Sequence, residues 1–115
     1  MAVLEDVVVT SPRENAAVVE LTGEHDMATS RELADLFESL IRTNELVVVD
    51  LSEAQFVDSS VLSNLLSAYK IADDRGKVFR LQLGTRPIVK QALEISGILR
   101  TIPCVSTRVE ALGSR

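Results

Sequence analysis

The order of hydrophobic patterns along this chain predicts a single α/β domain, with a mixed but mostly parallel sheet, an N-terminal hairpin and about four helices. Three observations carry that reading. LEDVVVT and AAVVELT are β-branched runs flanking a turn-rich connector, ELVVVDL is an apolar run without alternation, and amphipathic helical stretches alternate with strands up to the C-terminus. With 115 residues there is room for one core and not for two ordinary ones, so residues 1–115 are read as one domain with its core at about 5–112.

The elements follow in order. Ser11, Pro12, Arg13, Glu14 and Asn15 connect the two strands of the hairpin, which fall within residues 3–22. After Gly23, the residues Leu33, Leu36, Phe37, Leu40 and Ile41 share one helical face and Arg31, Glu32, Asp35, Glu38 and Arg42 the other, which predicts a helix over about 29–42. ELVVVDL lacks a polar face and suits the middle strand of a sheet covered on both sides. Leu62, Leu65, Leu66, Tyr69 and Ala72 mark a second helix over about 59–74, with Gly76 placed as its stop. In KVFRLQLG, Phe79, Leu81 and Leu83 alternate with Arg80 and Gln82, so this strand should bury one face and wet the other. Thr85, Arg86 and Pro87 open a third helix with Ile88, Val89, Ala92 and Leu93 inward and Gly97 closing it. A short edge strand near Leu99 to Val105, weakened by Pro103, and a helical turn near Thr107 to Leu112 complete the pattern.

Composition removes several functions. Cys104 is the one cysteine and His25 the one histidine, which excludes intrachain disulfides, Cys/His zinc sites and chemistry that needs two imidazoles. With 17 acidic against 12 basic residues, a net charge of -5 and scattered aromatics, neither a phosphate-tracking stripe nor a base-stacking platform is present, so nucleic acid is not an expected partner. MAVLEDVVVT has no basic segment followed by an apolar one, and no apolar stretch is long enough to span a bilayer; the expected location is the cytoplasm, without membrane insertion. No cofactor is expected.

Loops that leave parallel strands for helices gather at the carboxyl edge of the sheet, so Gly23 to Asp26, Ser52 to Asp58 and Gly84 to Pro87 should converge. They bring Glu24, His25, Asp26, Glu53 and Asp58 around two hydroxyls, Ser59 and Ser60, with Thr85 and Arg86 nearby. Taken alone, Asp58-Ser59-Ser60 is a helix cap. The same helix start also presents unpaired N–H groups and a positive dipole end, which can hold a phosphate carried on a serine. Arg86 can pair with such a phosphoserine, although an arginine near a helix start is commonly just solvated. His25 invites a Ser-His-Asp reading with Ser59 and Asp26, but Ser59 lacks the Gly-x-Ser-x-Gly elbow and no oxyanion donors can be assigned. Cys104, in a β-like run, reads as a small buried hydrophobe.

VVVDLSEAQFVDSSVLSNLLSAYKIADDRGKVFRL resembles the central signature of the STAS domain family, in particular the bacterial anti-sigma factor antagonists. LTGEHDMATSRELADLF resembles the family's Gly-Glu-x-Asp segment, and ISGIL its Ser-Gly-hydrophobic segment, the three standing in register. The resemblance implies a phospho-switch. Ser59 would be the phosphoacceptor with Asp26 beside it; the unmodified protein would bind an anti-sigma factor that is itself a serine kinase, freeing the sigma factor, and a metal-dependent serine phosphatase would reset the switch. Glu24, Asp26, Asp58, Ser60, Val61 and Arg86 are then the expected partner contacts, and no residue is catalytic or holds a metal. Val61 departs from the family, which typically has glycine there; it adds a β-branched side chain in the turn a kinase approaches. Two rivals stand beside this reading: a constitutive STAS subunit of a stress-signalling scaffold or lipid-transport complex, in which Ser59 only caps a helix, and a small serine hydrolase.

Overall fold

In the computed structural model, which describes residues 6–25, 27–84 and 87–113, the chain runs β1 (Val7–Arg13), β2 (Ala16–Leu21), β3 (Gly23–His25), α1 (Met27–Thr43), β4 (Leu46–Asp50), β5 (Ala54–Val57), α2 (Ser59–Asp74), β6 (Val78–Gln82), α3 (Pro87–Ser96), α4 (Ile98–Thr101), β7 (Cys104–Val105) and α5 (Arg108–Leu112). The main sheet has the order β1-β2-β4-β6-β7, antiparallel between β1 and β2 and parallel elsewhere, and β3 pairs with β5 in a separate ribbon. The architecture is the expected α/β domain, with five helices among the described residues.

β4 is the middle strand, and its run of apolar residues is explained by burial at all five positions. Val47, Val49 and Leu51 face the main core with Val19 and Leu21 of β2 and Phe79 and Leu81 of β6. Over them lie Leu33, Phe37 and Ile41 of α1 and Val61, Leu65, Ala68 and Ala72 of α2, each set repeating at helical spacing. Phe37 meets Phe79 edge to face, with ring centroids 6.1 Å apart. On the opposite face Ala16, Val18, Leu46 and Val48 form a smaller cluster closed by Ala111 of α5.

Several boundaries differ from the sequence reading, each for a physical reason. The hairpin connector is shorter than residues 11–15, because β1 continues through Ser11 and Pro12 to Arg13 after a register shift beyond Thr10. β1 is an edge strand, where a proline removes no ladder bond that the sheet needs. Asn15, at φ 62°, makes the turn. α1 begins at Met27, two residues before the expected start, whereas α2 spans the expected 59–74. Its end is a Schellman arrangement: the N–H of Lys77 donates to Ala72 O at 2.8 Å and that of Gly76, at φ 69°, to Asp73 O at 3.1 Å.

The expected strand at 99–105 is a helical turn, α4, followed by only two strand residues; Gly97, at φ 81°, starts that turn after closing α3. The Ile102 N–H donates to Ile98 O at 2.9 Å, the i to i−4 bond of a helical turn, and both side chains are buried. Nor is the second face of β6 wet: Gln82 is 7% exposed, because α5 crosses over that side. Among the described residues no helix is long and apolar enough to cross a membrane.

Cys104 is half-buried, its Sγ 3.2 Å from Ile102 O, and burial raises the thiol from 9.0 to about 11. Because the folded value is raised, the thiol's contribution to stability is complete below pH 9 and lost as pH climbs through 11. Alkylation by iodoacetamide at pH 8 should therefore be at least about tenfold slower in the native protein than in urea, where the exposed thiol is partly ionised; equal rates would contradict the assigned environment.

Candidate functional site

The three carboxyl-edge loops do converge, through a device that sequence reasoning passed over. The stretch Ser52 to Asp58, expected as plain loop, contains β5, which pairs in parallel with β3. Gly23 stands opposite Ala54, Glu24 opposite Phe56 and His25 opposite Val57, and the Gly23 N–H donates to Glu53 O at 3.3 Å. The signal was faint because the two strands are three and four residues long and alternate only briefly. The third loop meets the second where a Cβ on Gly84 would lie 2.6 Å from the Ser52 Cβ.

The ribbon delivers Asp58 to the head of α2. There it is the N-cap, with extended backbone, and its Oδ1 accepts from the N–H groups of Ser60 at 3.0 Å and Val61 at 3.2 Å. The same oxygen accepts the Ser60 hydroxyl at 2.5 Å. Capping thus belongs to Asp58, with Ser60 held in support. Ser59, the first helical residue, is exposed, and among the described residues its hydroxyl makes no hydrogen bond. The expectation that unpaired N–H groups would receive a phosphate needs a correction, since those of Ser60 and Val61 are already taken by Asp58. At those two positions a phosphate finds no open amide, and the dipole of the 16-residue helix is what favours it.

The other expected contacts separate clearly. Ser60 and Asp58 are half-buried at the same surface. Val61, expected as a partner contact, is fully buried in the main core. Its side chain points inward because the helix face it shares with Leu65 and Ala68 packs on the sheet, so a partner does not touch it and the added branch fills the core. Glu24 and His25 have their backbones in β3, while their side chains lie outside what the structure describes, as do Asp26 and Arg86. Ala92 is half-buried and Leu93 buried, as expected of the inner face of α3.

A polar cluster behind this edge was not foreseen. Arg108, at the start of α5, donates from Nη2 to Asp50 Oδ2 at 2.6 Å and from Nε to Gln82 Oε1 at 2.7 Å. Asp50 Oδ1 accepts the Ser52 N–H at 2.9 Å. Asp50 and Gln82 lie inside runs that read as strands, and nothing near Arg108 in sequence marks their common partner. Among the described residues no group of three His, Cys, Asp or Glu side chains could hold a metal ion.

The close approach of the loops makes Gly84 a sensitive point. Its φ is 65°, and a Cβ there would also come within 3.1 Å of the Ser52 backbone Cα. Gly84→Ala should cost about 1–3 kcal/mol of stability from backbone strain and displaced contacts. Urea denaturation measures it, and an unchanged midpoint would refute the contact.

Comparison with known proteins agrees with this geometry. The family model described as Mlab, STAS domain matches residues 8–103. The anti-sigma F factor antagonist of Paenibacillus polymyxa is 32% identical over 97 residues, covering 83% of this chain and 82% of that protein. The crystal structure of an anti-sigma factor antagonist from Mycobacterium paratuberculosis has a TM-score of 0.80 at 24% identity, covering 92% of this chain and 89% of its own. The phosphorylated form of the Bacillus cell fate determinant SpoIIAA has a TM-score of 0.70 at 17% identity, covering 92% and 96%. The two structures speak for a shared fold; together with the family model and the Paenibacillus relative, which span most of the sequence, they accord with one conclusion, that the chain belongs to the STAS domain family.

Proposed function

We propose that this chain is an anti-sigma factor antagonist rather than an enzyme: unphosphorylated, it binds an anti-sigma factor serine kinase and frees the sigma factor, and phosphorylation of Ser59 ends the binding. A metal-dependent serine phosphatase restores the unmodified form. The name of the Paenibacillus relative supports the antagonist role. The observation that carries the acceptor assignment is the contrast between neighbouring hydroxyls: Ser60 donates to Asp58, whereas Ser59 is exposed and uncommitted among the described residues. Asp58, Ser60 and the β3–β5 edge frame the surface the kinase approaches; Glu24 and Asp26, with Arg86 as a secondary contact, are the further contacts this reading assigns to the partner.

The test is intact-mass analysis after incubation with candidate anti-sigma factor serine kinases and ATP. One phosphate should appear on the wild type and on Ser60→Ala, and none on Ser59→Ala. Stoichiometric modification of Ser59→Ala would falsify the acceptor assignment. Stable copurification with a transporter or large scaffold, without phosphorylation by any kinase tried, would favour the constitutive subunit. Turnover of an activated ester that is lost in His25→Ala would favour the hydrolase.

A further inference from the structure

Near their carboxyl ends β2, β4 and β6 carry a row of polar residues in register, Glu20 beside Asp50 and Asp50 beside Gln82, on the face covered by α5. Strands buried on both faces seldom carry such a row, and here Asp50 is 5% and Gln82 7% exposed. Arg108 satisfies all three: its guanidinium takes Asp50 at 2.6 Å and Gln82 at 2.7 Å, with the Glu20 carboxylate at 3.6 Å. Asp50 has two jobs, because its other oxygen holds the Ser52 N–H, the next backbone donor after that of Leu51, which still pairs with Gln82 O at 2.8 Å.

From Ser52 the connection to the phosphoacceptor edge is continuous. The Ser52 side chain lies against Gly84, the Ala54 N–H closes a turn onto Leu51 O at 3.1 Å, and Ala54 begins the strand that pairs with β3 and ends at Val57, next to Asp58. We propose that Arg108 is a positioning residue for the Ser59 edge: from the opposite face of the sheet it holds Asp50, and Asp50 sets the path of the 52–57 segment that presents Asp58 and Ser59. Without Arg108, Asp50 is a nearly buried carboxylate beside Glu20 with no counter-ion, an arrangement that drives it to rotate towards water and release Ser52. The coupling across the sheet stands on these distances alone; only its consequence for a kinase rests on the function proposed above.

The experiment compares R108M, R108K and the double variant R108M/D50N with the wild type. Asparagine at 50 keeps a carbonyl for the Ser52 N–H and removes the unpaired charge. Native-state amide exchange by NMR is read at Ser52 and Ser60, with Val48 in the centre of β4 reporting global opening. R108M should speed exchange at Ser52 and Ser60 by about tenfold relative to Val48, with R108K intermediate and the double variant close to wild type. With the kinase found by the mass screen, R108M should raise KM for Ser59 phosphorylation while kcat holds, and D50N should restore KM. Exchange that rises only in step with Val48, or a double variant no better than R108M, overturns the proposal. Should R108M fail to fold, R108K and the double variant carry the same comparison. If no kinase modifies wild-type Ser59, the functional reading fails and the exchange data alone decide the coupling.

Discussion

Phosphorylated at Ser59, the domain should bind its kinase partner at least about tenfold more weakly, roughly 1.4 kcal/mol, without losing its fold. The phosphate brings about -1.5 to -2 charges at pH 7 to an exposed position one residue from the Asp58 carboxylate, and any interface formed there must desolvate both. The helix cannot absorb that charge through its N2 and N3 amides, because Asp58 occupies them. The dipole still offsets part of the repulsion, and Ser59 itself supports no packing that the modification could break. Titration calorimetry on the two forms, beside circular dichroism and thermal melts, separates the possibilities. An affinity loss that arrives only with loss of α2 helicity would replace surface exclusion by an order-to-disorder switch.

The second large effect concerns stability. Ending the chain after Ser106 removes α5, whose Ala111 closes the cluster of Ala16, Val18, Leu46 and Val48 on the back of the sheet. It also removes the carbonyls of Ala111 and Leu112 that accept from Arg80 and Arg13, and the Arg108 counter-ion of Asp50. Uncovering several aliphatic side chains worth about 1.5–3 kcal/mol each should cost at least about 4 kcal/mol, a large share of the roughly 5–15 kcal/mol that holds a domain of this size. Urea denaturation of the shortened chain should show either a greatly lowered midpoint or no folded baseline, together with binding of an apolar dye. A midpoint within the error of the full chain would mean that α5 is not the cover it appears as in the burial of Val18 and Val48.

The sequence by itself determined the elements whose signal is local. Sixteen residues of α2 were legible because apolar spacing, an acidic cap and Gly76 all marked the same ends. β4 was legible as the central strand because an apolar run without alternation has few other places to sit. The candidate acceptor edge was legible in outline too, since carboxyl-edge loops follow from the strand–helix order. Tertiary structure alone decided what depends on distant partners. β3 and β5 are strands only because they pair with each other across some thirty residues of chain, too short to announce themselves by pattern. Val61 looked like a surface contact by its place beside Ser60, and the helix phase turned it into the core. Gln82 looked wet by alternation, until α5 covered it. Arg108 and Asp50, 58 residues apart, carry no mark in the sequence of the 2.6 Å contact that the packing of α5 on the sheet creates.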